Sequence, residues 1–394
     1  MGPLSGLAGV PVEWKPGLRG GNRTFVTSRG VRMVCVSARV RACSAMTAFR
    51  RQFASDNNAG ICPEVLAALA EHGGGHAPGY GDDPVTAAAR RAIADVFGGD
   101  CVVHFAANGT AANCLALASV LQPFEAVVVH EFSHLETDEC NALGRFVPGA
   151  RTLAATGEEA KLTPQSLTRA LAHSRPVHSS RPRAVSITNA TELGTVYSPA
   201  ETADLAATAH AAGLVLHLDG ARFANAIAHH GCDPADLTCR AGVDLLTFGG
   251  TKAGLAFGEA VVFFRQDLAQ DFEYRLKQSG HLASKMRFIS AQWLGLLGGD
   301  RWLQRSAHAN RMATRLRERL ACIEGVQLLF PTQANAVFAR IPLAATRALR
   351  ERGWRFHDDV GPGGGARLMC SWDTLPEDVD GFASDLAQLM GRPG

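Results

Sequence analysis

Two apolar runs constrain this chain most: LVLHLD at 214–219 and DLLTF at 244–248. Both have the composition of buried strands, and both stop abruptly. The first ends on Asp219 and Gly220, the second on Gly249 and Gly250 just ahead of Thr251 and Lys252. In an open α/β sheet, residues just past the carboxyl ends of the strands line the ligand crevice. An acid and an amine delivered in this way face one site. Taken singly, each is far more often an ordinary charge in a solvated loop.

Strand and helix alternate around these runs. PEVLAALAEH reads as a helix with proline in its first turn, and DPVTAAARRAIADVFG as a second one ended by glycine. CVVHFAANGTAANCLALASVL gives strand, loop and helix, and EAVVVH a further strand. PRAVSITNATELGTVYSP supplies a strand and a turn, AETADLAATAHAAG a helix capped by Gly213, and GEAVVFFRQDL a strand after the lysine loop. The alternation predicts an α/β domain over 47–295, a mostly parallel sheet with helices on both faces. From about Ser290 a long helical stretch, 290–323, leads into short strands VQLLF, NAVFARI and ARLMCSW and two more helices. That pattern predicts a smaller α+β domain over 296–394, and 394 residues suffice for two cores.

The first 46 residues stand apart. They carry Arg19, Arg23, Arg29, Arg32, Arg39 and Arg41 against one acid, Glu13, without a sustained period. Such a stretch is a transit peptide, a disordered extension, or sequence upstream of a later start at Met33 or Met46; the last is preferred, because MTAFRRQFASDNNAG runs directly into patterned chain. A net charge of +2 leaves no footprint for nucleic acid. No apolar run reaches the roughly 18 residues that span a bilayer. Ten cysteines without a Cys-x-x-Cys read as free thiols in a reducing cytoplasm.

Three features carry candidate chemistry. Asn108, Gly109 and Thr110 join a strand to a helix N-terminus, where free N–H groups can bind an anion or a threonine can simply cap. HEFSH at 130–134 matches the H-E-x-x-H of zinc peptidases, which needs both histidines on one helix face. Here it follows the apolar VVV at a strand end, and Thr137 and Cys140 replace the glycine and third histidine of the longer form. Arg367 is the one charge within the apolar strand ARLMCSW.

Taken in order, FASDNNAG, GYGDDP, NGTAAN, HEFSHLETDE, TELGTV, HLDGARFANA and FGGTKAG resemble the low-specificity threonine aldolases. These belong to the β-eliminating lyase group of fold type I pyridoxal-phosphate enzymes, and the similarity runs over about 53–390. The resemblance implies that Lys252 carries the cofactor covalently, that Asp219 bonds its pyridine nitrogen, and that His134 stacks on its ring. It implies that Gly109 and Thr110 bind the phosphate and that Ser55, Arg222 and Arg367 hold the substrate carboxylate. His178 falls near a second substrate-facing histidine, and Lys285 is the candidate for a basic residue lent to a neighbouring subunit's phosphate. The chain departs from the family where its Thr-His-Asn-Gly turn becomes Thr191, Glu192, Leu193, Gly194.

The activity so implied is retro-aldol cleavage of a β-hydroxy-α-amino acid, such as L-threonine, L-allo-threonine or L-phenylserine, to glycine and an aldehyde, in a homodimer or homotetramer. An acid beside the cofactor nitrogen favours its protonated, electron-accepting form, and a lysine that attacks must be held as a neutral amine. The residues leave two candidates for the base that takes the β-hydroxyl proton, His134 and His178. The rival readings are β-elimination or transamination on the same cofactor, a non-catalytic relative of the fold, and the zinc peptidase.

Overall fold

A computed structural model describes residues 52–172, 176–361 and 363–391, together with an antiparallel ladder of β1 (Phe25–Val26) and β2 (Arg32–Met33). The chain divides into two compact units, Met1–Phe49 and Arg50–Gly394. Beyond the ladder, the expectations for residues 1–46 lie outside the described residues.

The larger unit is built on seven strands. They are β3 (Val102–Ala106), β4 (Glu125–His130), β5 (Arg151–Ala155), β6 (Arg181–Thr188), β7 (Val215–Gly220), β8 (Leu245–Phe248) and β9 (Glu259–Phe263). Their order is β3-β9-β8-β7-β6-β4-β5. β4 to β8 pair in parallel, and β9 runs antiparallel to both its neighbours. Neighbouring residues point to opposite faces: Val127 and Val129 enter one core cluster, Val128 the other. Burial on both faces is why these strands read as unbroken apolar runs.

Helices cover both faces: α1 (Pro63–Glu71), α2 (Pro84–Val96), α3 (Gly109–Ala118), α4 (His134–Thr137), α5 (Ala142–Phe146), α6 (Pro164–Ala172), α7 (Pro199–Ala211), α8 (Phe223–His230), α9 (Phe272–Gln278) and α10 (Arg287–Leu297). Several begin where the sequence chemistry puts them. Asp83 caps α2, its carboxylate accepting from the Thr86 N–H, and Ser198 with Glu201 forms a capping box on α7.

The C-terminal part carries α11 (Arg301–Ala321), β10 (Gln327–Leu328), β11 (Ala336–Arg340), α12 (Leu343–Glu351), β12 (Ala366–Met369) and α13 (Pro376–Met390). β10, β11 and β12 form an antiparallel sheet whose apolar face packs with α11 and α13 in a cluster of its own. Phe53 belongs to that cluster, and its carbonyl accepts the N–H of Met369. The chain before α1 therefore runs along the C-terminal sheet.

Two expectations change. The stretch 290–323 is not one helix: Gly299 and Asp300 take φ of 67° and 57° and break it into α10 and α11. The stretch between EAVVVH and PRAVSITN, where the sequence offers no predicted strand, contains the edge strand β5, whose burial is mixed and which therefore has no clean apolar run to announce it.

Candidate active site

The cavity opens at the carboxyl ends of the parallel strands, with a volume of about 580 Å³. Asp219 ends β7, Thr188 ends β6, Lys252 lies in the turn after β8, and His134 opens α4 just beyond β4. Two glycine-bearing loops bring the acid and the amine together. The Gly249 N–H donates to the Gly220 carbonyl at 3.0 Å. A Cβ on Gly249 would lie 2.5 Å from the Ala221 carbonyl oxygen, and one on Gly220 would lie 2.7 Å from that of Thr247. Only glycine permits this approach.

Asp219 is buried, 3% exposed. Its Oδ1 accepts the Ala221 N–H at 2.9 Å and its Oδ2 the Asn113 side-chain amide at 2.8 Å. Both bonds suit the charged carboxylate. The same Asn113 nitrogen donates to Glu139 Oε1 at 3.0 Å, which also bonds His134 Nδ1 at 2.9 Å. Glu139 Oε2 accepts from the Cys114 thiol. A buried polar chain thus runs from Asp219 through Asn113 and Glu139 to the His134 ring.

That chain has an electrostatic consequence. The hydrogen bond that His134 Nδ1 donates to Glu139 raises the His134 pKa above its ordinary value, against desolvation and with help from Asp219. A histidine whose folded pKa is raised adds stability that is complete below its unfolded value and is lost as pH rises through the folded one. Glu139→Gln keeps the shape and removes the charge. An NMR titration of His134 should show its pKa falling in that variant, and the stability difference between the two proteins should be largest in acid and shrink as pH rises. An unchanged His134 titration would rule out this coupling.

Lys252 is half-buried, and desolvation, then the Arg222 charge, lower its pKa, against the carboxylates of Asp56, Asp219 and Glu259. Part of its population is therefore a neutral amine at lower pH than for a free lysine. Its turn is anchored by Glu259, whose Oε2 accepts the N–H groups of Gly250 and Thr251.

Gly109 and Thr110 form the first turn of α3. Asn108 caps it, its side chain accepting the Ala111 N–H at 2.9 Å. The N–H groups of Gly109 and Thr110 precede the first intrahelical bond and have no intrahelical acceptor. A Cβ on Gly109 would meet nothing within 4 Å, so the space above the turn is open. Gly109 lines the cavity.

At the other wall stand Ser55, Arg222 and Arg367. Arg222 is not free: its Nε and Nη2 grip Asp56 at 2.7 and 3.0 Å. Burial would raise the Asp56 pKa, but Arg222 and Lys252 outweigh it and hold the carboxyl below its ordinary value. Arg367 gives Nη2 to the Ala54 carbonyl at 3.2 Å, while its buried Nε has no partner in the protein.

The site gathers Ser55, Gly109, His134, Asp219, Arg222, Lys252 and Arg367, with Thr110 beside Gly109. It does not gather His178 or Lys285. His178 is exposed on the turn after α6, in a separate hollow with Glu136, Arg151 and Thr152, because β5 and α6 turn that segment outward. Lys285 is exposed just before α10 and does not line the cavity of its own chain. The H-E-x-x-H geometry is also absent: His130 ends β4 and His134 opens α4, so the two do not share a helix face. The sequence did not single out Asp56, Asn113 or Glu139 as site residues, and it showed Glu192 only as a departure from the family turn. All four lie inside the motifs that carry the resemblance, but only the fold reveals their contacts with site residues.

Residues 52–342 match the beta-eliminating lyase family. The chain is 52% identical over 346 residues to the low specificity L-threonine aldolase of Pseudomonas aeruginosa, covering 88% of this chain and all of that one. It is 50% identical over 345 residues to the protein of that name from a Pseudomonas species, covering 88% and 99%. Among solved structures it is similar to Leishmania major threonine aldolase, with a TM-score of 0.81 and 31% identity over 86% of this chain and 99% of that one.

Proposed function

The chain belongs to the beta-eliminating lyase family, and from that premise we propose that it is a pyridoxal-phosphate-dependent aldehyde-lyase of the threonine aldolase type. It cleaves L-threonine and related β-hydroxy-α-amino acids to glycine and an aldehyde. The observation that carries this reading is that Asp219 and Lys252, placed at neighbouring strand ends, line one cavity with an open helix N-terminus. The same strand-end placement fits a fold type I enzyme.

The residues suit the cofactor. Asp219 is a charged acceptor for the pyridine nitrogen, and the first turn of α3 offers Gly109 and Thr110 N–H groups to the phosphate. Unpartnered buried atoms, Asn113 Oδ1, Glu192 Oε2 and Arg367 Nε, surround the cavity and lack partners that an occupant would supply. Bound there, pyridoxal phosphate supplies an electron sink for the pair left on Cα when the Cα–Cβ bond breaks.

The protein's part is binding, orientation and proton transfer. Lys252 attaches the cofactor through its amine. Because Arg222 is committed to Asp56, the substrate carboxylate falls to Arg367 with Ser55, and Arg222 adds its charge and its remaining amino group. Fixing the carboxylate sets the torsion about N–Cα and so selects the bond that breaks. His134, held at its backbone N–H and at Nδ1, is a rigid partner for a ring face.

The exposed Lys285 suits a basic group lent to a neighbouring copy, in keeping with a homodimer or homotetramer. The separate C-terminal cluster supports a domain division near 295/296. No helix among the described residues is long and apolar enough to cross a membrane, and their free cysteines suit a reducing cytoplasm. Product analysis with L-threonine tests the reaction: glycine and acetaldehyde in equal amounts are expected, whereas 2-oxobutanoate would mean β-elimination and refute the aldolase.

A further inference from the structure

We propose that Glu192 is the second acid–base residue of this site: its Oε2 takes the proton of the substrate β-hydroxyl as the Cα–Cβ bond breaks. The inference rests on the aldolase reading above. Glu192 follows β6 and lines the cavity that holds Lys252 and His134. Its two oxygens differ sharply. Oε1 is occupied twice, by the His134 N–H at 2.9 Å and by the Thr188 hydroxyl at 3.0 Å. Oε2 is buried and has no hydrogen-bond partner in the protein. A buried carboxylate oxygen without a hydrogen-bond partner is strongly disfavoured. Oε2 therefore either holds a proton or receives one from what fills the cavity.

Its surroundings suit both states. Burial, then the nearby Asp219 charge, push the Glu192 pKa up to about 7, where acid and base are both populated. The charged and titratable groups around it are Asp219 and Arg222 at the end of β7, His134 of α4 and the buried Tyr197. His134 is tied at Nδ1 to Glu139, which favours its cationic form. His178 lies in another hollow.

The step balances. The β-oxygen gives its proton to Oε2, and the O–H pair becomes the second bond of the aldehyde carbonyl. The Cα–Cβ pair stays with Cα, which then takes up a proton to give glycine. Glu192 returns its proton to solvent as the aldehyde leaves. Only the carboxylate can accept, so cleavage should rise as pH passes upward through about 7.

The test compares wild type with Glu192→Gln in two reactions of the cofactor-loaded enzyme. L-Threonine cleavage needs the β-hydroxyl proton removed; exchange of a glycine α-proton with deuterated solvent, followed by NMR, does not. We expect E192Q to lose about 10²-fold or more in cleavage and its pH rise near 7. Glycine exchange should stay within about threefold, and Glu192→His, another base of near-neutral pKa, should recover part of the cleavage. Infrared difference spectra of the purified proteins, wild type minus E192Q, should show a carboxyl titrating near pH 7. Equal losses in both reactions would make Glu192 a structural or cofactor-facing group and overturn the proposal. A retained pH rise, or no such carboxyl, would also overturn it. If wild type exchanges glycine but does not cleave threonine, the aldolase reading fails instead.

Discussion

Lys252→Ala should abolish threonine cleavage, by about 10⁴-fold or more, and remove the yellow absorbance of the loaded enzyme while leaving the protein folded. The large loss would follow from the amine's proposed part as the attachment point of the cofactor. Knocking out a covalent catalytic residue costs on this scale because no neighbour replaces the bond. Folding should survive because the turn is held by its backbone: Glu259 accepts the Gly250 and Thr251 N–H groups and Gly249 binds Gly220. Asp56 loses the Lys252 charge but keeps its two bonds from Arg222. Spectra, circular dichroism and a rate assay check all three statements, and a variant that kept a tenth of its activity would refute the role.

Asp219→Asn should cost about 10²- to 10⁴-fold in rate and weaken cofactor retention. The substitution removes the charge that keeps a pyridine nitrogen protonated. It also upsets the network behind it. The amide oxygen would stay on the Ala221 N–H, turning its NH₂ toward the Asn113 amide, donor against donor. Flipping Asn113 would relieve that clash but face its oxygen to Glu139, so His134 would lose part of its support. Rates in the presence of excess cofactor separate the two effects: a loss that persists at saturation belongs to the chemistry, and one that vanishes belongs to binding alone.

Much of this architecture was legible because the sheet is buried on both faces. Its strands show as apolar runs, and their abrupt ends mark where function gathers, which is how Asp219 and Lys252 were paired. The edge strand β5 escaped because it has no continuous apolar run. The long helix was misjudged because Gly299 and Asp300 bend the chain through left-handed backbone, which Asp300 reaches without being a glycine. The site was legible in part. Gly109, His134, Ser55 and Arg367 come to the cavity as the family resemblance implied, and His178 does not.

What the sequence hid was pairing at a distance. Arg222 looked like a free clamp until the fold set it against Asp56, 166 positions away. Glu139 looked like one acid among several in HLETDE, yet it alone there is buried against both Asn113 and the His134 ring. Glu192 read as a departure from a family turn, and its meaning lay in which of its oxygens found partners. Such contacts depend on the register of three strand ends, which no local pattern encodes.

The central claim is that Lys252 is the attachment point of the cofactor in this cavity. Borohydride reduction of the purified, cofactor-loaded enzyme, followed by proteolysis and peptide mass analysis, tests it most directly. The account predicts one modified peptide, containing Lys252, that disappears in Lys252→Ala. A stable adduct on another lysine, or none from a yellow and active enzyme, would contradict it.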